Sequence, residues 1–290
     1  MSSTAKFCHH SLAGMNSVLD LVLIGVEDEL ANEFARCCRD ELVVIEKLLS
    51  RFDPESETFK LNRNTIGKWV PVSNELWSVI QQCEQYREQS MGYFNIALGY
   101  LKQSTEPTQK PSPPDIRMEP ESQSVLFGNG FTSLDFGAVG KGLFLQKLDC
   151  LLTTFQVEDC FASFGGSSVL TRGKHPSGDY WPLSLREGEP GQLHFKLNNH
   201  AVSISSVEVG KGRAAHIFNP NKLEMVTEPR LAFVKTDCPV EAEVLSTALL
   251  ASPPAVFEQL SQAFKPEQVA VFFQTKTNKL FLEYEYTKSD

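Results

Sequence analysis

Apolar residues recur along this chain with two different periods. From Glu27 to Leu49 they fall at Leu30, Phe34, Cys37, Cys38, Leu42, Ile45 and Leu49, a three-and-four spacing that predicts an amphipathic helix of about six turns. A second helix is predicted from Asn74, a good N-cap residue, through Leu76, Val79, Ile80 and Cys83 to Gln89. Leu143, Leu145, Leu148, Leu151 and Leu152 predict a third, whose entrance is the glycine-rich "SLDFGAVGKG". A fourth is expected from Val240 to Leu250, stopped by Pro253 and Pro254, and a short one from Ala255 to Phe264.

Shorter apolar runs predict strands. Val18 to Ile24 is the first, and Asp159 to Phe164 is another that stops at "GGSS". Trp181 to Arg186, Leu193 to Leu197 and Ala201 to Ser205 suggest a meander, and Val269 to Phe273 with Leu280 to Tyr286 suggest a closing hairpin around "TKTNK". "SRFDPESETFKLNR", Ser50 to Arg63, mixes turn formers with charges and is expected to be an exposed connection. Lys102 to Ser122 carries five prolines and is expected to be a surface loop with no sheet or helix of its own. No internal repeat is visible. Hairpins in place of strict strand–helix alternation predict an α+β fold.

The chain has 290 residues, enough to bury a full core as one unit or as two ordinary domains. No run approaches the roughly 18 apolar residues that a membrane span needs, and the N-terminal segment is a poor signal peptide. The expectation is a cytoplasmic protein with no membrane span. Seven cysteines form an odd set with no CxxC pair, which predicts buried free thiols. A net charge of −9 argues against nucleic acid as the main partner. An anionic ligand then needs a metal, a lysine or a helix N-terminus close at hand.

Four stretches could carry such chemistry. In "LDFGAVGKG" three glycines and Lys141 precede a helix, which suits either a tight turn with a solvated lysine or an anion site. In "SFGGSSVLTRGKHPSGDYW" small residues at a strand end suit a cleft wall or a plain hairpin turn. In "GRAAHIFNPN", His216 is a structural hydrogen-bonder or a functional group. In "PVEAEVLSTALLA", Glu243 and Thr247 lie four apart on one helix face. They could share a Mg²⁺ as oxygen ligands, or Glu243 could simply complement the helix dipole.

Taken in order, these stretches resemble one family, the FAD:protein FMN transferases, also called the ApbE family. The resemblance runs from "GMNS" through "IEKLLSRFDPESETFKLNR", "MGYFNIALGYL", "LDFGAVGKG", "FGGSSVLTRGKHPSGDYWPLSL", "AVSISS" and "AAHIFNPN" to "EAEVLSTALL", nearly the whole chain. It implies an ApbE-like (T-fold-like) α+β architecture of mixed or antiparallel sheets packed with helices, as one compact unit over 1–290. The implied activity is Mg²⁺-dependent transfer of the FMN moiety of FAD to a Thr or Ser hydroxyl of an acceptor protein, with release of AMP. Carried over by position, it makes Glu243, Thr247 and the carbonyl of Ala138 the metal ligands. Met15, Phe52, Tyr93, Phe94, Asn95, Asp135, Lys141 and Phe218 become the FAD contacts, and His216 lies by the reacting phosphate. The chain departs from the family's usual residues at Glu243 (Asp), Phe52 (Tyr), Phe94-Asn95 (Phe-Asp), in "GMNS" (usually A-M-G-T) and in "HIFNPNKLE" after His216. Those departures leave as an alternative a member that binds flavin nucleotide without transferring it; a further alternative is a Mg²⁺-dependent FAD hydrolase giving FMN and AMP, with water in place of the protein hydroxyl.

Overall fold

The computed structural model of the chain describes residues 6–102, 111–185, 193–207, 217–275 and 279–288. The chain opens with a hairpin, β1 (Phe7–Gly14) and β2 (Ser17–Ile24), joined by Met15 and Asn16. Both turn residues have positive φ, as a two-residue hairpin of right-handed twist requires. Helix α1 (Asp28–Leu49) follows and buries Phe34, Cys38, Leu42, Ile45 and Leu49, the predicted stripe, whereas Leu30 is exposed.

The stretch expected to be an exposed connection contains instead a helix, α2 (Glu57–Asn64), capped by the Ser56 hydroxyl, which accepts from the Phe59 N–H. Its buried positions are Thr58 and Leu61. A threonine on the buried face hides the helical period from an apolar count. After β3 (Val70–Pro71) comes α3 (Asn74–Gln89), whose cap is Ser73, one residue before the expected Asn74. Within the proline-rich stretch, β4 (Ile116–Glu119) corrects the expectation of no sheet: it pairs with β5 (Ser124–Phe127) in a small sheet with β3.

Helix α4 (Gly140–Thr154) leads to the hairpin β6 (Asp159–Phe164) and β7 (Ser168–Arg172). The expected three-strand meander is divided between two sheets. β8 (Trp181–Leu185) and β9 (Leu193–Leu197) form their own pair, while β10 (Ala201–Val207) joins the main sheet. A short hairpin of β11 (Phe218–Asn219) and β12 (Glu224–Met225) precedes β13 (Arg230–Thr236). The chain ends with α5 (Pro239–Ala251), a 3₁₀ turn, α6 (Phe257–Phe264) and the expected hairpin β14 (Gln268–Gln274) and β15 (Leu280–Thr287).

Eight strands build one antiparallel sheet in the order β1-β2-β6-β7-β10-β13-β14-β15. Helices α1, α4 and α5 cover one face, where Leu19, Leu21, Leu23, Ala162, Phe164, Ala232 and Val234 join the main core. The β8–β9 hairpin covers the other face with Trp181, Phe195 and Leu197, and the Phe195 ring stacks on Phe233 at 3.7 Å. The central strands are therefore buried on both faces, which is why "LAFV" and "VAVFF" read as continuous apolar runs. Helix α5 is buried nearly all round between the sheet and its helical neighbours. All seven cysteines are free thiols, as expected, but Cys150 is exposed and Cys37 and Cys238 are only half-buried. Among the described residues no helix is long and apolar enough to cross a membrane.

Helices α4 and α5 touch at Gly142. A Cβ there would lie 2.7 Å from the Pro239 carbonyl oxygen, 2.9 Å from Glu243 Cγ and 3.0 Å from Val240 Cα. Two of these are backbone atoms that cannot rotate aside. Gly142→Ala is therefore expected to cost about 1–3 kcal/mol of stability, read by urea denaturation, in spite of alanine's better helix propensity.

Candidate active site

The α5 end of this contact forms the floor of a cleft. Glu243 is 6% exposed, and both its carboxylate oxygens are held by serines: Ser168 on β7 donates to Oε1, and Ser203 on β10 donates to Oε2 at 3.0 Å. Ser168 and Ser203 are directly opposed across the β7–β10 pair. Ser246, one turn along α5, is within 3.0 Å of Ser203 Oγ and 2.8 Å of Ser205 Oγ, so the hydroxyl network continues along β10. Burial pushes the Glu243 carboxyl above its usual range, opposed by the charge of Lys141 and by the two serine hydrogen bonds. A cation placed beside it would favour the ionised form.

The walls come from loops between these elements and from the segment at Ile217 and Phe218. The β6–β7 turn carries Gly165 and Gly166, both at positive φ, and brings Gly165 to the cleft. Glycine suits Gly165 by its backbone conformation, and a Cβ there would also make the Ser17 hydroxyl rotate aside. Next to this turn, Lys141 in the first turn of α4 donates to the Ser167 hydroxyl. No side chain caps the start of α4, which leaves its N-terminal polarity facing this region. Asn62 on α2 holds the glycine stretch in place by a two-way bond with the Leu134 backbone, at 2.7 and 2.9 Å.

Asp135 is buried and doubly paired. Its Oδ2 meets Arg51 Nε at 2.9 Å and Lys102 Nζ at 3.3 Å, while Oδ1 accepts the Gly137 N–H at 2.7 Å. The Arg51 guanidinium lies 4.2 Å from the centroid of the Phe52 ring, which is 66% exposed at the cleft mouth. Asn95 Oδ1 accepts the Ala97 N–H at 2.8 Å and so shapes its own loop.

Together these elements enclose a cavity of about 520 Å³. Of the residues singled out from the sequence, Phe52, Tyr93, Phe94, Asn95, Asp135, Ala138, Lys141, Phe218, Glu243 and Thr247 all line it, and Met15 lines an adjoining pocket of about 180 Å³. The glycine turn, Gly165 and the Glu243 helix thus converge on one cleft. Phe94 is set apart from the other aromatic residues, because its side chain packs in the hydrophobic core. His216 lies outside the described residues; Ile217, next to it, is part of the wall.

The "GGSS" of Ser167 and Ser168 was read from the sequence as a cleft wall or a plain turn, but Arg51, Lys102, Ser203 and Ser205 were given no role. One signal was present for two of them: in "AVSISS" the serines alternate with Val202 and Ile204, which puts Ser203 and Ser205 on the α5 face of β10. Among the described residues there is no group of three or more His, Cys, Asp or Glu side chains placed to hold a metal. The carboxylate of Glu243, the hydroxyl of Thr247 and the carbonyl of Ala138 are nonetheless hard oxygen donors on one cavity, the class that Mg²⁺ takes. Each Glu243 oxygen keeps a lone pair beyond its serine bond.

Residues 15–273 match the ApbE family. The chain is 26% identical over 231 residues, 71% of each chain, to a protein of Chlamydia trachomatis named FAD:protein FMN transferase, and 25% identical over the same length to its namesake in Chlamydia muridarum. Its fold is that of the flavin transferase ApbE from Vibrio cholerae, with a TM-score of 0.79 at 17% identity over 98% of both chains. It is likewise similar to the flavinyl transferase ApbE of Pseudomonas stutzeri, at a TM-score of 0.79 and 17% identity over 97% of this chain and 96% of that one. With the motifs in order along the sequence and gathered at one cleft in the fold, this chain belongs to the ApbE family.

Proposed function

We propose that this chain transfers the FMN moiety of FAD to a Thr or Ser hydroxyl of an acceptor protein and releases AMP. The observation that carries this reading is the single cleft in which a buried carboxylate, Glu243, and a lysine, Lys141, meet beneath exposed or half-buried aromatic rings. Rings supply stacking area for flavin or adenine, and the charged floor suits a pyrophosphate. The chlamydial relatives, named for the same transfer, support it.

In this reading the acceptor oxygen bonds to the FMN-side phosphorus while the anhydride bond breaks. The electron pair of that bond stays on the bridging oxygen, which departs as part of AMP. The acceptor hydroxyl loses its proton, and His216 is the residue proposed to take it. Lys141, held in place by Ser167, neutralises phosphate charge as it redistributes. Glu243, Thr247 and the Ala138 carbonyl would hold Mg²⁺, which supplies positive charge to the phosphate oxygens when bound. The serines around Glu243 fix its orientation before any cation arrives, so little reorganisation is needed on binding.

Incubation with FAD, Mg²⁺ and a candidate acceptor should yield AMP together with an acceptor carrying the added mass of FMN. AMP without an adduct identifies a hydrolase, and FAD binding without AMP identifies a binding protein. Lys141→Ala is expected to weaken FAD binding, read by flavin fluorescence quenching, by about tenfold or more. Glu243→Gln should abolish metal-dependent AMP release, because charge is what Mg²⁺ requires, whereas Glu243→Asp should retain it.

The same variant has a signature without metal. Folding raises the Glu243 pKa, so the native state favours the protonated carboxyl. Its contribution to stability is complete below the unfolded-state value and is lost as pH rises through the folded one. Glutamine cannot ionise. The thermal midpoint of Glu243→Gln minus that of the parent should therefore grow more positive between about pH 4 and pH 8 in a chelator. A flat difference would show that Glu243 does not feel its burial.

A further inference from the structure

Arg51 and Lys102 are cleft residues to which the reading above gives no task. Both pair with the same oxygen of Asp135, at 2.9 and 3.3 Å, and their side chains are only 14% and 21% exposed. Two largely buried cations thus share one carboxylate, while Glu46, which lines the adjoining pocket with Arg51, accepts the Met15 N–H and pairs with neither. Burying an ion without a counter-charge costs several kcal/mol, so such a cluster is suited to a site that an anion completes. The donors remain available: Arg51 uses Nε toward Asp135, and its planar fork still carries the Nη pair. The fork is held from two sides, by Asp135 and by the Phe52 ring 4.2 Å away. In a chain of net charge −9 this positive cluster is local.

Its partners set it apart from Lys141. Lys141 lies in the field of Glu243 and bonds Ser167 beside the β6–β7 turn, whereas Arg51 and Lys102 are tied to Asp135, although Arg51 and Lys141 line the same two pockets. The cleft therefore has two cationic stations. A pyrophosphate has two phosphates. The one attacked belongs with Glu243, Thr247 and Lys141, which leaves the Asp135 cluster for the other.

We infer that Arg51 and Lys102 form a phosphate subsite for the departing nucleotide, a nucleoside 5′-monophosphate whose charge grows as the anhydride bond breaks. The identification of that nucleotide as AMP rests on the reading of FAD as substrate. Cations fixed beforehand by Asp135 and Phe52 stabilise this charge without rearranging. The double pairing has a second consequence: removing either cation leaves Asp135 with the other, so neither is indispensable for folding.

The test is calorimetric titration of the full chain with AMP and with adenosine, using the parent, Arg51→Gln, Lys102→Gln and Arg51→Lys. The parent is expected to prefer AMP over adenosine. Arg51→Gln and Lys102→Gln should each lower AMP affinity about tenfold and adenosine affinity less than about twofold, with the ligand-free thermal midpoint nearly unchanged. Arg51→Lys, which keeps the charge, should retain most of the preference. If Arg51→Gln fails to fold, Lys102→Gln decides the matter alone, since its Arg51–Asp135 pair is intact. AMP affinity unchanged in the glutamine variants, or a parent indifferent to the phosphate, overturns the subsite. A parent that binds AMP through this pair yet never cleaves FAD would instead overturn the transferase reading and leave the subsite standing.

Discussion

A carboxylate placed against a hydrophobic core must be given hydrogen-bond donors or a counter-charge, and much of this fold serves that requirement at Glu243. Its two oxygens are bonded by Ser168 and Ser203, which face each other across neighbouring strands. The pairing register of β7 and β10 is thereby tied to a single side chain on α5. A slip of either strand by one residue would turn its serine to the β8–β9 side and leave one carboxylate oxygen without its donor. The same constraint explains Gly142, because the stem of Glu243 occupies the space where a Cβ on α4 would lie. Sheet register, helix contact and cleft floor are one problem with one solution.

Seen this way, the departures from the family's usual residues are accommodated locally. Glutamate carries one methylene more than aspartate, and that methylene lies over Gly142 while the head reaches the paired serines. Phe52 lacks the hydroxyl of a tyrosine, yet its ring is backed by the Arg51 guanidinium. Asn95 uses its carbonyl oxygen to accept the Ala97 N–H, a bond that an aspartate could also make.

Charge is distributed over the cleft with equal economy. Lys141 is held by Ser167 and faces the field of Glu243, whereas Arg51 and Lys102 are gathered by Asp135. An acidic protein can bind a polyanion in this way, because screening makes the local arrangement matter more than the net charge of −9. The aromatic rings at the mouth add area without adding charge.

The elements that could be read from the sequence are those whose burial follows a simple period. Helices α1, α3, α4 and α5, strands β2 and β6, and the closing hairpin each bury residues that are apolar by type. The gathering of Lys141, Glu243 and Thr247 was legible only as an ordered set of short motifs. What stayed hidden is buried polarity: Thr58 on α2 and the serines beneath Glu243. Their energetics depend on partners that the neighbouring sequence does not contain. Arg51 and Asp135 are 84 positions apart, and only packing brings their charges to 2.9 Å. Local periodicity decides which faces leave water, because that is a property of each segment; which polar groups survive inside is decided by the tertiary structure, because a hydrogen bond or ion pair exists only when the fold brings both halves together.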